Sequence, residues 1–285
     1  MILSNSQRAY LALIFHCQAE TMDKPDVDQI AIESTASRIV TKVPDATAAF
    51  WVTKLLSTAM GESVSDFLGH LIGHVPAVLA GAVAFAAALL VQLRCRRYST
   101  WAYWVTVAMV GVFGTMAADV VHGIGVPLPW STTLYAVALA VVFVWWYRSE
   151  RTLSIHSIYT RRRELFYWAA VVATFALGTA AGDLTASTWR LGYLVSAGLF
   201  ILVIAIPAVG YWKFGMNSIL AFWFAYVVTR PIGASFADWM AAPARRTGLG
   251  WGTGWVGGGL ALAVLAGIVF MARTGRDKAP SAVRS

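Results

Sequence analysis

Charge is what this chain most lacks. Asp, Glu, Lys and Arg make up 13% of its 285 residues, against about 25% in an ordinary soluble domain, while 58% are hydrophobic. That balance excludes an ordinary cytosolic enzyme, a disulfide scaffold and a disordered tail, and points to the bilayer. Cysteine is nearly absent: Cys17 and Cys95 form no CxxC and no paired spacing, so a disulfide framework and a thiolate metal site are both unsupported. No GxxxxGK[ST], HExxH or GxSxG string occurs, leaving ATP hydrolysis and the common hydrolase chemistries without residues to carry them. The expectation is that this is not an enzyme.

What is present is long apolar stretches separated by arginines. Eight segments approach the 20 or so residues that cross a hydrocarbon core: about 46–66, 72–93, 100–121, 131–147, 165–184, 191–211, 217–238 and 254–272. The fold expected is all-α, eight transmembrane helices arranged as four hairpins. Residues 1–44 read as a polar cytoplasmic arm, whose one apolar run, Tyr10 to His16, is too short to span. Residues 45–148 and 165–272 form two membrane halves, with a basic loop at 149–164 between them and a basic tail at 273–285.

Seventeen basic residues fall on one side of this arrangement and three, Arg190, Arg245 and Arg246, on the other; Lys54 and Arg230 lie inside spans. The positive-inside rule then places both termini in the cytoplasm. It also explains the net charge of +8 without nucleic acid as a partner. The bilayer is the partner expected.

The spans repeat. Trp51, Trp104, Trp168 and Trp223 each follow an aromatic residue, and each is followed 10 residues later by Gly61, Gly114, Gly178 or Gly233 and 15 residues later by Asp66, Asp119, Asp183 or Asp238. All four copies fall on outward-running spans, so the repeats are parallel and related by an axis along the membrane normal. The aromatic pairs suit a headgroup interface, and the glycines allow close helix approach. The aspartates need another explanation. Each lies about 22 Å beyond its tryptophan, and a carboxylate in a span normally faces a bundle interior or water. Glu62 and the four aspartates against Lys54 and Arg230 leave three negative charges unbalanced, so protons or a bound cation must join them. In the first repeat Lys54, Thr58, Gly61, Glu62, Ser65 and Asp66 form one polar stripe; Tyr226, Thr229, Arg230 and Gly233 do the same in the fourth.

Histidines sharpen the picture. Asp66, His70 and His74 follow helical spacing, and His122 lies three residues after Asp119. Imidazole with carboxylate suits first-row divalent metals, so these three histidines are candidate metal ligands. The metal would be a substrate rather than a resident cofactor.

The segments Lys42-Val43-Pro44-Asp45, Phe50-Trp51, Gly61-Glu62-Ser63-Val64-Ser65-Asp66, Tyr167-Trp168, Gly178-Thr179-Ala180-Ala181-Gly182-Asp183 and Ala225 to Ser235 resemble a family of bacterial integral membrane proteins built on an internal repeat of unknown function. The resemblance covers about residues 40–272. Ser63 stands where the family pattern has threonine, and Ala237-Asp238 where it has Gly-Asp. It implies a multi-pass protein of the bacterial inner membrane and no activity. The function expected from the residues is a transporter or pore for a small cation, either a divalent metal or a proton-coupled solute. The alternative is an intramembrane sensor or partner subunit acting through its cytoplasmic arm. An intramembrane enzyme using Glu62, Asp66 and His70 ranks last.

Overall fold

The computed structural model describes residues 41–277, and every regular element among them is helical. Eight long helices run in order: α1 Ala48–Ile72, α2 His74–Arg94, α3 Thr100–Gly123, α4 Leu128–Glu150, α5 Arg161–Asp183, α6 Tyr193–Phe214, α7 Ser218–Ala241 and α8 Thr253–Thr274. Short polar caps start several of them. The Thr47 hydroxyl accepts from the Phe50 amide and the Thr160 hydroxyl from the Arg163 amide, each at 3.3 Å. Asn217 accepts from the amides of Ile219 and Leu220. Such caps satisfy amides that the helix itself leaves free.

Seven of the eight helices are long and apolar enough to cross a membrane. The exception is α1, which carries Lys54, Glu62 and Asp66 along its length. It is nevertheless 25 residues long, about 37 Å at the rise of an α-helix, and it packs on α2, α3, α7 and α8.

The repeat helices α1, α3, α5 and α7 form a closed ring of parallel neighbours. Phe50 meets Trp104 and Glu62 meets Thr115 between α1 and α3; Tyr103 meets Tyr167 between α3 and α5. Tyr167 meets Trp223 between α5 and α7, and Arg230 on α7 returns to Glu62 on α1. The other four helices clad this ring. Of the most apolar stretch of α3, 61% is buried, against 11% of α2, so the ring holds the core and the cladding faces outward.

Two expectations are corrected here. The packing units are not the sequential hairpins: α2 packs chiefly on α3, α4 on α5, α6 on α7 and α8 on α1. Each cladding helix thus leans antiparallel on the first helix of the next repeat. Thr106 reaches the Ala88 carbonyl, Thr132 the Ala180 carbonyl, and a side chain added at Gly267 would meet Thr53. Nor does the chain divide into halves at 149–164, because α1 of the first repeat is held by α7 and α8 of the last.

The boundary of the arm shifts too. Lys42, Val43 and Pro44 are buried rather than part of a solvated arm. Residues 1–40 and 278–285, including the apolar run from Tyr10, lie outside the described residues.

Candidate functional site

Four-residue steps along the ring helices stack side chains on its axis, as helical periodicity requires. The first level is aromatic. Phe50, Tyr103, Tyr167, Trp104, Trp168 and Trp223 are all buried there, with Phe222 and Trp51 partly so. The Tyr103 and Tyr167 hydroxyls are hydrogen-bonded at 2.5 Å, and Trp223 donates its indole N–H to the Leu153 carbonyl at 2.9 Å. These rings turn inward and close the axis with edge and tilted contacts. The headgroup role expected of the aromatic pairs is therefore corrected for all but Trp51.

One turn on lie Lys54, Val107, Val171 and Tyr226, all buried. The Lys54 Nζ sits 3.5 Å from the centroid of the Tyr226 ring and 5.2 Å from that of Phe175. It has no hydrogen-bond partner among the described residues.

Next come Thr58, Gly111, Phe175 and Arg230, then Glu62, Thr115, Thr179 and Ala234, and these two levels are knotted together. Arg230 is 0% exposed. Its Nη2, with two hydrogens shared among three acceptors, lies 2.7 Å from Glu62 Oε2, 2.7 Å from Thr179 Oγ1 and against Thr115 Oγ1, while Nη1 donates to the Thr58 carbonyl at 2.8 Å. The two threonine hydroxyls also lie 3.4 Å from Glu62 Oε2. All four repeat helices thus meet at one guanidinium. A buried pair is tolerable only when its remaining donors and acceptors are satisfied, which Thr58, Thr115 and Thr179 largely do.

Close approach makes the knot possible. A methyl group at Gly178 would overlap the Arg230 side chain and sit 3.1 Å from Pro231 Cδ, and one at Gly61 would sit 2.7 Å from the Gly111 carbonyl carbon. Gly114 and Gly233 lie in comparable contacts with Phe175 and Thr58. Beside the knot Pro231 interrupts the α7 hydrogen-bond ladder.

The last level is Asp66, Asp119, Asp183 and Asp238. All four are partly exposed at the end of the ring remote from the arginine-rich loops. They lie within electrostatic range of one another and of Glu62. After Asp183 the helix widens into a π-turn, Leu184–Thr188, a feature that often marks functional positions. The level is open to solvent on one side and bounded by the knot on the other.

The histidines do not join it. His70, His74 and His122 are exposed. The His122 Nδ1 lies 3.1 Å from the Val126 carbonyl, and the His74 ring packs on Gly69. Among the described residues no three His, Cys, Asp or Glu side chains are grouped to hold a metal ion. The metal-ligand expectation for these three is corrected: helical spacing put Asp66 and His70 on neighbouring turns, but His74 begins a new helix after Gly73, whose φ is +86°.

Sequence reasoning missed Thr58, Thr115 and Thr179 as partners of Arg230. The signal was available, since Glu62, Thr115 and Thr179 all stand eleven residues after a repeat tryptophan. It also missed a second polar cluster at the basic end. Buried Glu164 binds Lys42 Nζ at 2.6 Å and Gln92 Nε2 at 3.0 Å. Nearby, the Asp277 carboxylate accepts from Tyr98 at 2.5 Å and Thr100 at 2.7 Å. Burial, then the hydrogen bond to Asp277 and its charge, push the Tyr98 hydroxyl above its usual range, so it remains a donor at any pH the protein meets. These bonds tie the chain before α1 and after α8 to the loops. Glu164→Ala is expected to loosen this tie by about 3 kcal/mol. The Lys42–Val43 bond should then become cleavable by trypsin, read by mass spectrometry as a new fragment beginning at Val43; an unchanged digest would show that Glu164 does not hold Lys42 in place.

Four repeats wound round a charged axis, in helices of which seven are long and apolar enough to span, define a polytopic helical protein of membrane type. The family match agrees: the Repeat of Unknown Function (DUF347) matches at residues 49–98, 102–152, 166–216 and 221–277, and the chain belongs to that family. Each match covers one ring helix and the cladding helix that follows it. Comparison with curated proteins and with solved structures gives no match.

Proposed function

We propose that this protein is a carrier for a small cation, the proton included, seated in the bacterial inner membrane with both termini and the arginine-rich loops in the cytoplasm. One observation carries the reading: four repeat-related carboxylates, partly exposed, line one end of an axis whose interior is charged and whose other end is packed with aromatic rings. Intramembrane carboxylates facing a bundle interior mark ion or proton pathways more often than structure, and a single buried pair would not require the same aspartate in four places.

The closed aromatic level favours a carrier that alternates between states over an open pore. The spacing of the carboxylates favours protons or a hydrated ion over a divalent metal stripped of water, because no three of them are gathered as metal ligands are. Pro231 and the π-turn after Asp183 offer places where the ring helices can bend.

The test uses the full-length protein in phospholipid vesicles, following sodium, potassium and manganese(II) uptake together with internal pH. Asp119→Asn and Asp183→Asn, singly and combined, are expected to abolish the movement that wild type supports while inserting normally. Undiminished movement in the double variant would end the carrier reading.

A further inference from the structure

Resting on the carrier reading, we infer that Lys54 is a proton-carrying residue of the axis, taking up and releasing a proton between the aspartate end and the tyrosine end, so that the proton is the ion that drives transport.

The two basic side chains of the axis are held in opposite ways. Arg230 is tied by Glu62, two threonine hydroxyls and a carbonyl. It therefore occupies Glu62, the buried carboxylate one turn on. Lys54 is 1% exposed and, among the described residues, has no hydrogen-bond partner and rests on the faces of Tyr226 and Phe175. Phe175 also carries Arg230, whose guanidinium carbon is 5.0 Å from its centroid, so the two basic groups flank one ring. Ring faces support a cation weakly compared with a carboxylate. Lysine also differs from arginine in being able to give up its proton when buried.

Protonatable groups mark the axis on both sides of Lys54. Toward the open end stand Glu62 and the four aspartates. Toward the basic end, beyond Tyr226 at the level of Lys54 itself, stand the Tyr103–Tyr167 pair, then Tyr98 and Asp277, themselves joined at 2.5 Å. The Tyr226 hydroxyl is likewise buried without a hydrogen-bond partner among the described residues, and its ring is the one the Lys54 amine rests on.

The ionisable groups facing Lys54 are accounted for helix by helix. Helix α7 brings Tyr226 and Arg230; α3 and α5 bring Tyr103 and Tyr167 one turn toward the basic end, and α1 itself brings Glu62 two turns the other way. Helix α8, packed on the other side of α1, has no ionisable side chain from Thr253 to Met271, and α2 has them only at its ends. Uptake turns the amine into an ammonium and release restores it. No bond between heavy atoms changes and no oxidant is required.

The deciding variant is Lys54→Arg, which keeps a cation over the Tyr226 ring but does not release its proton. Full-length wild type and variant are placed in phosphatidylethanolamine–phosphatidylglycerol vesicles holding a pH-sensitive dye, and a potassium diffusion potential drives protons inward. Wild type is expected to acidify the lumen and Lys54→Arg to fall to the rate of protein-free vesicles, with the melting temperature of the protein in detergent retained. Lys54→His, which keeps a titratable nitrogen, is expected to restore movement. Should Lys54→Arg not fold, Lys54→Met is read in the same way.

Wild-type proton movement in Lys54→Arg overturns the role of Lys54 and leaves the carrier reading standing. A lumen pH that never moves in wild type, with sodium, potassium or manganese(II) uptake that depends on Asp119 and Asp183, does the same. No movement of any ion by wild type overturns both.

Discussion

Replacing Arg230 with methionine is expected to cost the bundle about 3–5 kcal/mol, the usual penalty for leaving one member of a buried ion pair alone. Three side chains and a carbonyl converge on this guanidinium from the other helices of the ring. Removing it strands the Glu62 carboxylate beside two threonine hydroxyls, with no basic group left at its level. The variant should lose its sharp thermal transition in detergent, followed by tryptophan fluorescence. Adding Glu62→Gln to the same chain is expected to recover most of the loss, because a neutral amide can still bond Thr115 and Thr179 and neither charge of the pair is left alone. If Arg230→Met melts with wild type, the knot contributes nothing to holding the ring together.

Gly178→Ala is the second change with a large expected effect, although it adds a single methyl group. That methyl overlaps the first carbons of the Arg230 side chain, which cannot swing away as a flexible tip would, and it presses on the ring of Pro231. Relief requires α5 and α7 to separate, pulling the guanidinium off Thr179. Overpacking of this kind costs about 1–3 kcal/mol before any hydrogen bond is lost. Gly198→Ala is the control: that glycine lies in α6 with nothing within 4 Å of the added carbon, and substitution there should stabilise by about 0.5–1 kcal/mol. Equal melting temperatures for the two variants would contradict the packing described for Gly178.

The helices and the repeat were legible in the chain because both are written in short range. A run of apolar residues announces a span whatever it touches, and Trp51, Gly61 and Asp66 recur at constant spacing in Trp104, Gly114 and Asp119. What a helix touches is another matter. Helices α2, α4, α6 and α8 are apolar on nearly every face, so nothing in their pattern distinguishes the helix before from the helix after. The sequential hairpin was the simplest reading, and the ring pairs them the other way. The same limit applies to Trp104 and Trp168. An indole near a helix start suits an interface or a core equally, and only the neighbouring repeat helix decides for the core. Arg230 and Glu62 could each be recognised as buried charges, but Thr115 and Thr179 look like ordinary small residues until two other helices bring a carboxylate and a guanidinium between them.

The staggered cladding carries a consequence for synthesis. A ribosome delivers α1 first, with Lys54, Glu62 and Asp66 in it, yet the helices that cover it most, α7 and α8, emerge last. The least apolar segment must therefore wait while the roughly 145 residues between Ile72 and Ser218 emerge, beside the translocation machinery or at the lipid boundary. A nascent chain stopped after α6 still lacks the guanidinium that neutralises Glu62. Commitment to the membrane and completion of the ring are thus separate events, and quality-control proteases would see a copy truncated before α7 as an open clasp with a charged first helix.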